Sequence, residues 1–238
     1  MVPEKLISDF VGRLRAAAGT NLRSVILYGS AAAGDYVPGY SDVNLLCVLG
    51  DTSFASIQAL AAAVGWWAKQ KQRVPLLMGQ EEFRRSADVF AVEFLDMKQN
   101  YRVLWGEDVL KELVVPMQFH RAQVEYELRE KTILLRQRLL IVDGDATAKW
   151  ELLLRSIPAF ATLARHALIA VGETGAASKR EALQRLAAKV GFDASVFSQL
   201  VDIRERKVDR KTLDVDELFA RYLSAVEKIT AAVDEMLD

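Results

Sequence analysis

Apolar residues recur at helical spacing between Glu4 and Ala18, where Leu6, Ile7, Phe10, Val11, Leu14 and Ala17 are interleaved with Lys5, Asp9, Arg13 and Arg15. The pattern predicts an amphipathic helix. After the Gly19-Thr20-Asn21 break, Ser24–Tyr28 reads as a short buried strand, and Gly29-Ser30 ends it before a small-residue turn of helix at Ala31–Ala33. Gly34–Tyr40, with two glycines and Pro38, marks a loop, and the β-branched and apolar run Asp42–Val48 predicts a central strand. Phe54–Lys71 carries Ile57, Leu60, Ala61, Val64, Trp67 and Ala68 on one helical face, and Val74–Met78 resembles another strand. Gln80–Arg85 reads as a short polar helix or turn. Asp88–Met97 alternates well enough to predict a third main strand, with Glu93 near its middle and Asp96 near its end on the opposite face.

From about Pro116 strand-like runs cease and long helical patterns take over. Four or five helices are predicted, Gln118–Val142, Ala146–Val171, Lys179–Val190, a less regular Val196–Arg206 and Asp214–Leu237, with Gly144, Gly172–Gly175, Gly191 and Lys211-Thr212 between them and Asp214 as an N-cap. A helical bundle is the expected result, and its apolar faces would also suit a homodimer. The expected domains are therefore 1–115 and 116–238.

Composition narrows the functional classes. With 31 Lys and Arg against 32 Asp and Glu, the net charge of −1 supplies no broad field for generic nucleic-acid or anionic-membrane binding. The single cysteine, Cys47, lies in the apolar run Val43–Leu49 and reads as a buried structural thiol. His120 and His166 sit in helical text and read as packing or surface residues. The start, Met1-Val-Pro-Glu-Lys5, lacks the basic-then-apolar order of a secretory signal, and no uninterrupted apolar run approaches about 20 residues, so a cytoplasmic protein is expected.

Chemistry is concentrated between Ser24 and Leu49. Gly29 allows close backbone approach, Ser30 offers a hydroxyl, and free amides at the following helix start suit phosphate oxygens. Asp42 and Asn44, two apart on the expected strand, would project from one face toward a shared metal cluster. Magnesium, or manganese, prefers such oxygen ligands and commonly bridges carboxylates to substrate phosphates.

Gly29-Ser30, Gly34 and Ser41-Asp42-Val43-Asn44-Leu45 stand in the order, and at nearly the spacing, seen in the nucleotidyltransferase superfamily. The stretch resembles that superfamily, which includes DNA polymerase β, the minimal nucleotidyltransferases and the aminoglycoside nucleotidyltransferases. The resemblance covers roughly residues 20–110, and the later helices look like the substrate-side bundle of kanamycin-type members. It implies an α+β domain with a mixed sheet followed by an all-α helical bundle. It also implies that Ser30 contacts a nucleoside triphosphate and that Asp42 and Glu93 are the catalytic metal ligands, with Asn44 in the second ligand position. The activity implied is transfer of a nucleoside monophosphate to a hydroxyl on a small-molecule or protein acceptor.

Two departures from that pattern shape the alternative. Asn44 stands where the family has an acidic ligand, and Ala33 where many members have Arg. An amide oxygen brings no negative charge to offset dications and polyphosphate. The alternative reading is thus a catalytically degenerate nucleotide- or partner-binding module, in a toxin–antitoxin pair or a regulatory role.

Overall fold

The computed structural model describes residues 2–173 and 178–235. Two compact units follow one another, Met1–Pro116 and Met117–Asp238.

The first unit is built on four strands, β1 (Leu22–Tyr28), β2 (Asn44–Leu49), β3 (Leu76–Gly79) and β4 (Tyr101–Gly106), in the order β3-β2-β1-β4. β1 runs antiparallel to β2 and β4, whereas β2 and β3 are parallel, so the sheet is mixed. β1 and β2 are central and apolar on both faces, because each face is covered. One face packs against α1 (Glu4–Ala18) and α3 (Phe54–Lys69) through Val25, Leu27, Leu45 and Cys47. There Phe10 and Trp67 stack with ring centroids 4.4 Å apart, and the buried indole N–H of Trp67 donates to the Arg73 carbonyl at 2.7 Å. The opposite face carries Ile26, Leu46, Val48 and Met78, which pack with Phe83 of α4 (Gln80–Arg85) and with Phe94 and Met97 of α5 (Ala91–Gln99).

The predicted strand over Asp88–Met97 is instead this helix α5. Its buried positions Ala91, Phe94 and Met97 are three apart, a spacing that a helix gathers onto one face and a strand scatters over two. The local alternation around Val92 and Phe94 imitates a strand over too few residues to separate the two periods. The fourth strand comes later, at Tyr101–Gly106, a Tyr, Val, Leu and Trp-rich run that sequence reading passed over.

The second unit comprises α6 (His120–Ile141), α7 (Ala146–Ala170), α8 (Lys179–Val190), α9 (Ser195–Arg204) and α10 (Val215–Asp234). Three starts are capped in the usual way, by Asp145, Ser178 and Asp214, whose side chains accept from backbone N–H groups of the first turn. Gly175 and the expected helix end at Leu237 lie outside the described residues. Helix α7 is the centre of the unit, with Trp150, Leu153, Ile157, Phe160 and Ala164 all buried. Among the described residues it alone is long and apolar enough to cross a membrane, and its burial within the bundle is that of a core helix.

Candidate functional site

The candidate residues meet at the end of the sheet where β1 stops. Tyr28 pairs with Asn44 across β1 and β2, and this is the last pair of that ladder. Gly29 then turns the chain with φ 74° and ψ −151°, a conformation that strains any residue with a Cβ. Its carbonyl accepts the N–H groups of Ala32 and Ala33, both at 3.0 Å, and its own N–H donates to Asn100 O at 3.2 Å. The helix that follows, α2 (Ser30–Ala33), is a single turn closed by Gly34 in the left-handed region. Ser30 is half-buried at its start.

Because pairing ends at Tyr28, β2 begins at Asn44, and Asp42 stands before the strand and is exposed. The turn before it is fixed by Ser41, whose N–H donates to Val37 O at 2.8 Å and whose Oγ accepts from Val37 N at 3.0 Å. The expected one-face projection of Asp42 and Asn44 from a common strand is therefore not what the ladder provides.

Asn44 shares its sheet face with Leu46 and Val48, the face covered by α5. Glu93 and Asp96 reach this corner from the helix rather than from a strand. Being three apart on α5, they share a helical face, where strand alternation would have opposed them. Their position registers on Tyr28. Burial raises its phenol above the ordinary value, Arg73 opposes the rise, and the charges of Glu93 and Asp96 add to it. Tyr28 pairs with Asn44 and feels the charges of Arg73, Glu93 and Asp96, and Arg73 enters this set only through the fold.

No family model matches the sequence, and no curated protein does. Among solved structures, the chain is similar to spectinomycin adenyltransferase AAD(9) from Enterococcus faecialis, solved with ATP and spectinomycin. The TM-score is 0.57 over 97% of this chain and 99% of that chain, at 13% sequence identity. The chain has the nucleotidyltransferase fold. At that identity the likeness speaks for the fold, and the chemistry has to be argued from this chain's own residues.

A nucleotidyltransferase fold that uses two divalent cations needs several anionic oxygens around one point. Among the described residues, no three His, Cys, Asp or Glu side chains gather into a metal-binding group. Asp42 is exposed and outside the strand, and Asn44 contributes an amide. β3, the strand beside β2, consists of Leu76, Leu77, Met78 and Gly79, with Leu76 level with Leu46. No carboxylate therefore comes from that neighbouring strand. Glu93 and Asp96 add negative charge near the corner, but with Asp42 they gather into no metal-binding group among the described residues, so this donor set does not fit a pair of catalytic dications. What the corner does hold is Asn44 Oδ1, inaccessible to solvent and without a hydrogen-bond partner.

Other reactive groups are withdrawn from chemistry. Burial pushes the Cys47 thiol up to about 12, which leaves it protonated. Trp67 and Trp150 are core residues, while Trp66 and Trp105 lie beneath the guanidinium groups of Arg13 and Arg15, at 4.2 and 5.5 Å from the ring centroids.

Proposed function

We propose that this chain binds a nucleoside triphosphate at the Gly29-Ser30 turn and has lost the metal-dependent transfer step, so that it works as a nucleotide- or partner-binding module in the cytoplasm. The nucleotide reading is supported by the Gly29 turn against Asn44, at the end of a sheet with the nucleotidyltransferase fold. The loss of transfer is supported by the amide at Asn44 and by Asp42, Glu93 and Asp96 gathering into no metal-binding group among the described residues. In this reading the first unit is the nucleotide domain. The second unit is assigned the recognition of a small-molecule acceptor, with a protein partner as the alternative.

Ser30 supplies a hydroxyl to phosphate, and Arg73 supplies a cation at the same corner as Tyr28. Glu93 and Asp96 surround that corner with negative charge. Lacking a fitting metal set, they are assigned here to positioning Tyr28 and Arg73 rather than to activating an acceptor hydroxyl.

Isothermal titration of the intact protein with ATP, GTP, CTP and UTP, with and without magnesium, tests the binding half. At least one nucleotide should bind, and Ser30→Ala should weaken it. Failure of all four to bind would remove the nucleotide from the proposal and leave the partner-binding reading. Pyrophosphate release from a bound nucleotide by the unmodified protein, in the presence of small-molecule hydroxyl acceptors, would instead restore the transferase reading.

A further inference from the structure

Helix α6 is apolar on two opposite faces. Val124, Leu128, Thr132 and Leu135 are buried on the bundle side, where α6 packs against α7 and α10. The other side presents Phe119 at the N-cap, then Tyr126, Ile133, Leu134, Leu140 and Ile141, with Tyr126 64% exposed, Leu140 81% and Ile141 83%. Phe119, Tyr126, Ile133 and Leu140 are seven residues apart, the repeat that holds one seam along a helix. A helix with two apolar faces is normally covered on both.

We propose that a second copy of this chain covers the outer face of α6, in a twofold-symmetric, antiparallel pair of α6 helices. With large side chains of about 200 Å² each, the six exposures amount to roughly 750 Å² per copy, close to the about 800 Å² per partner of a standard interface. The sequence is self-complementary about a dyad near Glu130. Phe119 of one copy then meets Leu140 and Ile141 of the other, Tyr126 meets Ile133 and Leu134, and Arg129 faces Glu130.

A receptacle lies where this register requires one. A groove of about 450 Å³ between α6 and α10 is lined by Arg129, Thr132, Ile133, Arg136, Glu227 and Thr230, among others. This register brings Tyr126 of the second copy, opposite Ile133, to the groove beside the Arg136–Glu227 pair. A buried tyrosine seated in a pocket of this kind is a typical interface anchor.

Sedimentation velocity of the intact chain tests the pair independently of nucleotide. A dimer at micromolar concentration is expected. Tyr126→Ala should weaken it by about tenfold or more, and Leu140→Glu should give a folded monomer with an unchanged far-ultraviolet spectrum. Glu130→Cys, close to the dyad, should form a disulfide between copies on mild oxidation, since Cys47 is buried. A chain that sediments as a monomer up to tens of micromolar, or a dimer unaffected by Leu140→Glu, overturns the proposal. A dimer that Glu130→Cys fails to link overturns its antiparallel register.

Discussion

Gly29 lies directly beneath the amide of Asn44: a Cβ placed on Gly29 would come within 3.2 Å of Asn44 Nδ2. The turn that ends β1 and the first residue of β2 therefore occupy space that only a glycine leaves free. Two features separated by fifteen positions in the chain are a single packing unit.

Gly29→Ala should consequently destabilise the first unit and disturb the turn together. The positive φ of 74° with ψ −151° costs a residue with a Cβ about 1–3 kcal/mol, and displacement of Asn44 adds to it. Urea denaturation should show a lower midpoint at unchanged slope, and nucleotide titration should show weakened binding. An unchanged midpoint would mean that the turn relaxes freely and does not constrain Asn44.

Asn44→Asp places a carboxylate where an amide oxygen has no hydrogen-bond partner, at the corner that Glu93 and Asp96 already make negative. In EDTA the variant should melt below the parent, by about 1–3 kcal/mol of lost stability for an uncompensated buried group. Magnesium should return part of that loss in the variant and do little to the parent. Identical melting of the variant with and without magnesium would show that a single added carboxylate does not restore a cation site here.

His120 Nε2 and His166 Nδ1 lie 2.9 Å apart between α6 and α7. Burial lowers the pKa of both, and the positive charge of Arg165, then His120 and Lys179, helps push His166 down to about 2. The folded pair is neutral, sharing one N–H between the two rings. Above the ordinary histidine value of 6.5, folded and unfolded chains bind the same protons and the pair's contribution is complete. Below it, the unfolded chain takes up protons that the folded chain refuses, so stability falls progressively toward pH 2. For one such proton the slope is about 1.4 kcal/mol per pH unit. Urea unfolding at pH 7.5, 6 and 5 should follow this decline, and His166→Leu should flatten it. A parent whose stability is level between pH 7.5 and 5 would contradict the neutral pair.

The elements that announce themselves within a few consecutive residues were legible before any fold was known. Helix α1 shows its period in six apolar positions, Lys179–Val190 was bounded to the residue, and Asp214 caps the last helix as its position implied. The glycine turn at Gly29 was legible too, because a strand followed by Gly-Ser and small residues has few other conformations. Each of these depends on local sterics and short-range hydrogen bonds, which travel with the sequence.

What depends on a distant partner was not legible. Glu93 could be named but not placed, since whether Ala91–Gln99 forms a strand or a helix is decided by the face of the sheet it covers. Asp42 falls outside β2 because β1 turns away at Gly29 and leaves nothing to pair with. His120 and His166, 46 positions apart, become one hydrogen-bonded unit only when α6 packs on α7. The outer face of α6 becomes meaningful only once its inner face is seen to be buried. The sequence by itself determined the local conformations and the chemical inventory. Tertiary structure decided which of those groups share a corner, because burial and long-range pairing are properties of the packed chain and not of any segment.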